Sequence, residues 1–162
     1  MDLSNFYALI SATCFTLVGL WWTVVERHPE WKSEPRGRQL AGGTYLAFLL
    51  PGVMAMFAQI NPDTPVLWRA SFGTAAVVGI YVNVQQILAE RSETSRGPFR
   101  RNRWAVAFVY LLVLVLGVAP ELARGVGATP LQVASFLLVL LVILAHGLTW
   151  EFMMEPEDSR RA

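Results

Sequence analysis

The chain has 162 residues, 54% hydrophobic and 15% charged, against roughly 45–50% and about 25% in an ordinary soluble domain. That balance excludes a normal cytosolic protein, and a net charge of +1 gives no general basis for binding nucleic acid. The single cysteine, Cys14, cannot close an internal disulfide, and two histidines leave no Cys/His cluster of metal-binding spacing, so neither metal nor cofactor is expected.

Apolar runs bounded by charge or turn residues predict an all-α, polytopic integral membrane protein. One transmembrane domain covers residues 1–162, with five spans at 5–25, 39–60, 65–88, 103–119 and 130–150, each near the ~20 residues that cross a bilayer core of about 30 Å. The first span has Asp2 where a signal peptide carries basic residues, and its apolar run exceeds a typical h-region, so it reads as a retained helix. Thr13 before Cys14 argues against lipoprotein processing at that cysteine. Asn5, Ala12, Gly19 and Glu26 fall seven apart along it, flanked by Thr16 and Thr23, and form a small, polar stripe. The following stretch, Glu26 to Arg38, reads as a solvated charged loop, because Pro29 and Pro35 interrupt the i, i+4 series Glu26, Glu30, Glu34.

The second span carries Gly43, Ala47, Pro51, Ala55 and Gln59 at successive i, i+4 steps, a pattern that permits close helix approach. Pro51 lacks an N–H at mid-span, which predicts a kink, read either as packing or as a local opening that exposes carbonyls to an ion. In the third span Arg69, Ala76 and Asn83 are seven apart, as are Phe72, Gly79 and Gln86, so one face is small and polar. The opposite side offers Val77, Tyr81 and Val84 to lipid. Because an amide in hydrocarbon must find a partner, Asn83 and Gln86 are expected to face protein or a water-filled cavity.

The run Arg100-Arg101-Asn102-Arg103 precedes the fourth span and suits either anionic lipid headgroups or a topology signal. With only Tyr110 polar in its core, the fourth span is expected to be the most lipid-exposed. The fifth repeats the seam weakly, through Gln132, Val139 and His146 and through Ser135, Val142 and Thr149. Asn83 and His146 lie at matching depths, roughly 9 Å from their span centres at 1.5 Å per residue, and Thr44 enters at similar depth, so a polar inner vestibule is expected there.

Eleven of the 13 basic residues fall in the 26–38 loop, the 89–103 loop and the C-terminal tail, which places those segments inside and the N-terminus outside. Trp21, Trp22, Trp104 and Trp150 then mark inner span ends and Trp68 an outer one, as an interfacial belt and not a binding site. The expected location is the bacterial inner (plasma) membrane.

These features point first to a small homo-oligomeric channel or transport protein. Pro51, Arg69, Gly79, Asn83, Gln86 and His146 would line its path, with Arg69 favouring anions at the outer mouth. His146 would add a response between about pH 5 and 8. The alternative is a non-catalytic accessory or scaffold subunit whose seams bind a partner's transmembrane helices. An enzyme is not expected, since no intramembrane Asp or Glu pair is present. A bis-histidine haem would need His28 to re-enter from its loop, and the lone lysine, Lys32, is also placed in that loop.

Overall fold

The computed structural model describes residues 2–60, 65–89 and 98–154. It is all-helical over those residues: α1 Leu3–Arg27, α2 Pro29–Ser33, α3 Pro35–Ile60, α4 Pro65–Ala89, α5 Pro98–Arg101, α6 Trp104–Val118, a 3₁₀ segment Pro120–Val126, and α7 Pro130–Met154. Arg91, Arg96, Arg160 and Arg161, on which part of the orientation rests, lie outside the described residues, as do the side chains of Arg100 and Arg124.

Proline sets most of the starts. Pro29, Pro35, Pro65, Pro98, Pro120 and Pro130 each open an element, where the missing N–H is one that the first turn would leave unbonded anyway and the fixed φ suits a helix. The segment expected as a charged loop is consequently mostly helical, and α3 begins at Pro35 rather than at residue 39. At the start of α1 the Asp2 carboxylate accepts from the Ser4 N–H at 3.3 Å. At the start of α7 a reciprocal capping box forms. The Thr129 hydroxyl accepts from the Gln132 N–H at 3.2 Å, and the Gln132 side chain accepts from the Thr129 N–H at 2.8 Å. Gln132 therefore caps the start of α7, whereas its spacing from His146 predicts the head of a polar stripe.

Side-chain pairings show that successive long elements alternate in direction. At one end the Tyr7 hydroxyl of α1 donates to the Leu131 carbonyl of α7 at 2.6 Å, and Arg69 of α4 reaches the last carbonyls of α6. At the other end the Trp21 indole N–H donates to the Ala41 carbonyl at 3.0 Å, Phe152 meets Trp21 and Trp31 edge to face, and Gln86 reaches the first turns of α3. This second end also carries Arg27, Lys32, Arg36, Arg38, Arg101 and Arg103, and we refer to it as the basic end.

Helix α3 is central, packing against α1, α4 and α7, while α6 lies along α4 and α7. It runs unbroken through Pro51, which is buried. The next residue, Gly52, gives the close approach to α1, since a Cβ there would stand 2.9 Å from the Cys14 Cβ. The expectation that α6 is the most open helix is not met: Val106, Val109, Tyr110, Val113, Leu116 and Gly117 form a continuous buried face. The more open element is α1, with 22% of its apolar stretch buried against 39% for α3.

Four helices, α1, α3, α4 and α7, are long and apolar enough to cross a membrane. Helix α6 has 15 residues, about 22 Å at 1.5 Å per residue, which is shorter than the hydrocarbon core. Of the tryptophans expected at span ends, Trp22, Trp104 and Trp150 are exposed, but Trp21 and Trp68 are buried.

Candidate functional site

The polar face of α4 turns inward, as its spacing predicts. Phe72, Ala76, Gly79, Asn83 and Gln86 are buried, whereas Val77, Tyr81 and Val84 on the other side are exposed. Its partner is α6, laid antiparallel against it in matching steps. Gly117 faces Arg69, Tyr110 covers Gly79, and Arg103 joins Asn83 and Gln86. Those α4 positions, from Arg69 to Gln86, extend over about 26 Å at 1.5 Å per residue.

Near the basic end the two helices enclose, with α3 and α7, a cavity of about 20 Å³, whose polar lining is Thr44, Asn83, Gln86, Arg103 and Tyr110 and to which α7 contributes the apolar Leu141, Ala145 and Leu148. Each amide nitrogen is committed to the backbone: Asn83 Nδ2 donates to the Gly79 carbonyl at 2.8 Å and Gln86 Nε2 to the Gln39 carbonyl at 3.2 Å. The Thr44 hydroxyl donates to the Leu40 carbonyl at 3.2 Å. The side-chain amide oxygens of Asn83 and Gln86 are thus left able to accept, beside the Thr44 and Tyr110 hydroxyl oxygens. Two glycines make this packing possible. A Cβ at Gly43 would overlap the Gln86 amide, and a Cβ at Gly79 would meet three atoms of the Tyr110 ring at 2.6–2.7 Å.

Arg103 is 7% exposed, so it is a lining residue of this cavity and not a headgroup contact on the surface. A guanidinium at the start of α6 stands against the positive end of that helix's dipole, which makes nearby oxygen acceptors valuable to it. Of its two neighbours in the basic run, Arg101 is exposed. The cavity admits about one water and no substrate. Among the described residues no group of three His, Cys, Asp or Glu is arranged to hold a metal ion.

The other three expected path residues lie elsewhere. Arg69 donates from Nε to the Gly117 carbonyl at 2.7 Å and from a terminal nitrogen to the Val118 carbonyl at 2.9 Å. It caps the C-terminus of α6, where carbonyls lack intrahelical donors and the dipole favours a cation. Pro51 is buried in α3 away from the cavity lining. His146 is exposed on α7, edge to face with Phe48 at 5.2 Å. A carbonyl only accepts, so the 2.8 Å contact to Val142 is a donation from Nδ1–H and leaves Nε2 as the unprotonated nitrogen of the neutral ring. His146 and Asn83 do not meet.

Arg103 and Tyr110 are the members of the site that the sequence reading placed elsewhere. The signal was available: Arg103, Tyr110 and Gly117 are seven apart, the same spacing that identified the α4 seam.

Comparison of the chain with protein-family models, with curated proteins and with solved structures gives no match. What the fold defines is an all-α protein whose apolar helices are compatible with an integral membrane protein.

Proposed function

We propose that this chain acts in a membrane by helix–helix association through α1, as a non-catalytic accessory or scaffold subunit that also self-associates. The observation that carries this reading is the division of polar residues between two faces. The α4 seam is closed by α3 and α6, whereas Asn5, Ala8, Ala12, Thr16, Gly19 and Thr23 run along one exposed face of α1. Small side chains let a second helix approach closely in lipid, where contact and not hydrophobicity drives association. The Thr16 and Thr23 hydroxyls donate to their own helix, to Ala12 at 2.8 Å and Leu20 at 2.7 Å, so these two positions meet apolar surroundings with their donors bonded.

Gly19 has nothing within 4 Å of a built Cβ, so Gly19→Leu is accommodated in a single copy and blocks only an incoming helix. In native-lipid discs the wild type is expected as a dimer or larger, or with a co-purifying membrane partner. Gly19→Leu is expected to shift it to monomer with unchanged circular dichroism. A wild type that is monomeric and alone, or a variant that assembles like wild type, would refute the proposal.

A second reading, an oligomeric channel, is favoured by the same stripe, because a ring of copies would turn Asn5, Thr16 and Thr23 toward a shared axis. Ion flux into liposomes separates the two readings. The anion preference expected of Arg69 is not part of it, since Arg69 is engaged with α6, nor is the pH response expected of His146, which lies on α7 and not on the α1 face.

A further inference from the structure

A cleft of about 250 Å³ opens at the basic end between the last turns of α1, the short helix α2 and the first turns of α3. Its walls are Trp21, Trp22, Trp31 and Tyr45, and its basic residues are Lys32 and Arg38. Trp21 and Trp31 stack with centroids 5.9 Å apart and are buried, which fixes the inner wall. Trp22 and Tyr45 meet edge to face at 6.2 Å. A Cβ added at Gly42, which also lines the cleft, would touch nothing within 4 Å. Lys32 and Arg38 are exposed, no acidic residue lines the cleft, and neither base forms an ion pair among the described residues. The neighbouring Glu30 is held to His28 at 2.7 Å.

We infer that this cleft binds one anionic phospholipid, with a length of acyl chain against the tryptophans and the phosphate on Lys32 and Arg38. Three features support that occupant. The cleft joins the ends of two helices long enough to cross a membrane, the level at which indole and phenol rings sit among headgroups. Its volume is just below the roughly 300–1,000 Å³ of small-molecule pockets, enough for a chain segment and not a whole lipid. The aromatic walls alone would also suit a choline headgroup, but two cations at the rim oppose a quaternary ammonium and favour phosphate, which an arginine fork can grip through two bonds. The inference requires the chain to sit in a membrane and is independent of association through α1.

The test uses the full chain in phosphatidylcholine nanodiscs, titrated with phosphatidylglycerol whose acyl chains carry bromine, and reads tryptophan quenching. Quenching is expected to saturate at low phosphatidylglycerol content, with a preference of about tenfold over brominated phosphatidylcholine. Lys32→Gln with Arg38→Gln should abolish that preference, and Gly42→Leu should reduce quenching by both lipids. Arg101→Gln, exposed at the same end, should leave the titration unchanged. Equal quenching by the two lipids in wild type overturns the inference, as does a double variant that keeps the preference. Displacement by millimolar inorganic phosphate would also overturn it, assigning the rim to a free anion. Because the wild-type comparison of the two lipids decides by itself, a misfolded variant does not protect the inference.

Discussion

Replacing Arg69 with methionine tests whether this residue holds the bundle together or tunes a path through it. Methionine keeps much of the alkyl stem and removes the two donations to Gly117 and Val118. A hydrogen bond from a charged group contributes about 1.5–3 kcal/mol, but one of these two is solvent-exposed and belongs at the low end. The lost interaction with the α6 dipole overlaps with the same contacts and is not added separately. A destabilisation of about 2–4 kcal/mol follows, or roughly 5–15 °C in melting temperature for a chain of this size. The assay is thermal unfolding in detergent, followed by tryptophan fluorescence, with hydrogen exchange read over α6. Exchange should accelerate first at the α6 C-terminal turn, and Arg69→Lys, with the charge but no fork, should fall between wild type and Arg69→Met. A melting temperature within about 1 °C of wild type, with no change in α6 exchange, would refute the capping role.

The α3–α4 contact gives a prediction with its own control. Gly43→Ala forces the Gln86 side chain out of its site and should cost about 1–3 kcal/mol as an overpacking change. Gln86→Ala in the same chain should recover most of that loss, and strictly additive effects would show that the two do not share the site. Topology is checked by cysteine labelling in a Cys14→Ser background. Ser33→Cys should resist an external impermeant reagent in sealed cells and Gly125→Cys should react, whereas the reverse pattern would invert the expected orientation.

Much of the bundle is legible because membrane helices announce themselves through length and because a polar residue in an apolar helix must turn inward. Asn83 and Gln86 illustrate the second rule: two amides three residues apart, in phase with Gly79, identify the buried face of α4 without knowledge of its neighbours. The inference weakens where a residue has two ways to be satisfied. Arg69 at a helix start can snorkel, line a mouth or cap a neighbour's carbonyls, and only the position of α6 selects the cap. Gln132 lies in phase with His146, but the Thr129-Pro130-Leu131-Gln132 order is also a capping box, and the local bond is the one formed. Pro29 and Pro35 interrupt a regular charge spacing in the sequence but open α2 and α3 in the fold, so the sequence alone assigns Trp31 to a solvated loop and gives no sign of the aromatic cleft.

Arg103 shows the remaining difficulty. A basic run before an apolar helix has an ordinary explanation in topology and headgroup contact, and that explanation treats its three arginines alike. The fold separates them. Arg103 is the position in phase with Tyr110 and Gly117 along the face that α6 lays on α4, so its side chain is carried inward, while Arg101, two residues earlier, is exposed. Composition assigns a run of charges to an interface, but helical phase decides which member enters the bundle. That phase can be read only after the partner helix has been identified, and for α6 the partner is the α4 face that Asn83, Gln86 and Gly79 already mark.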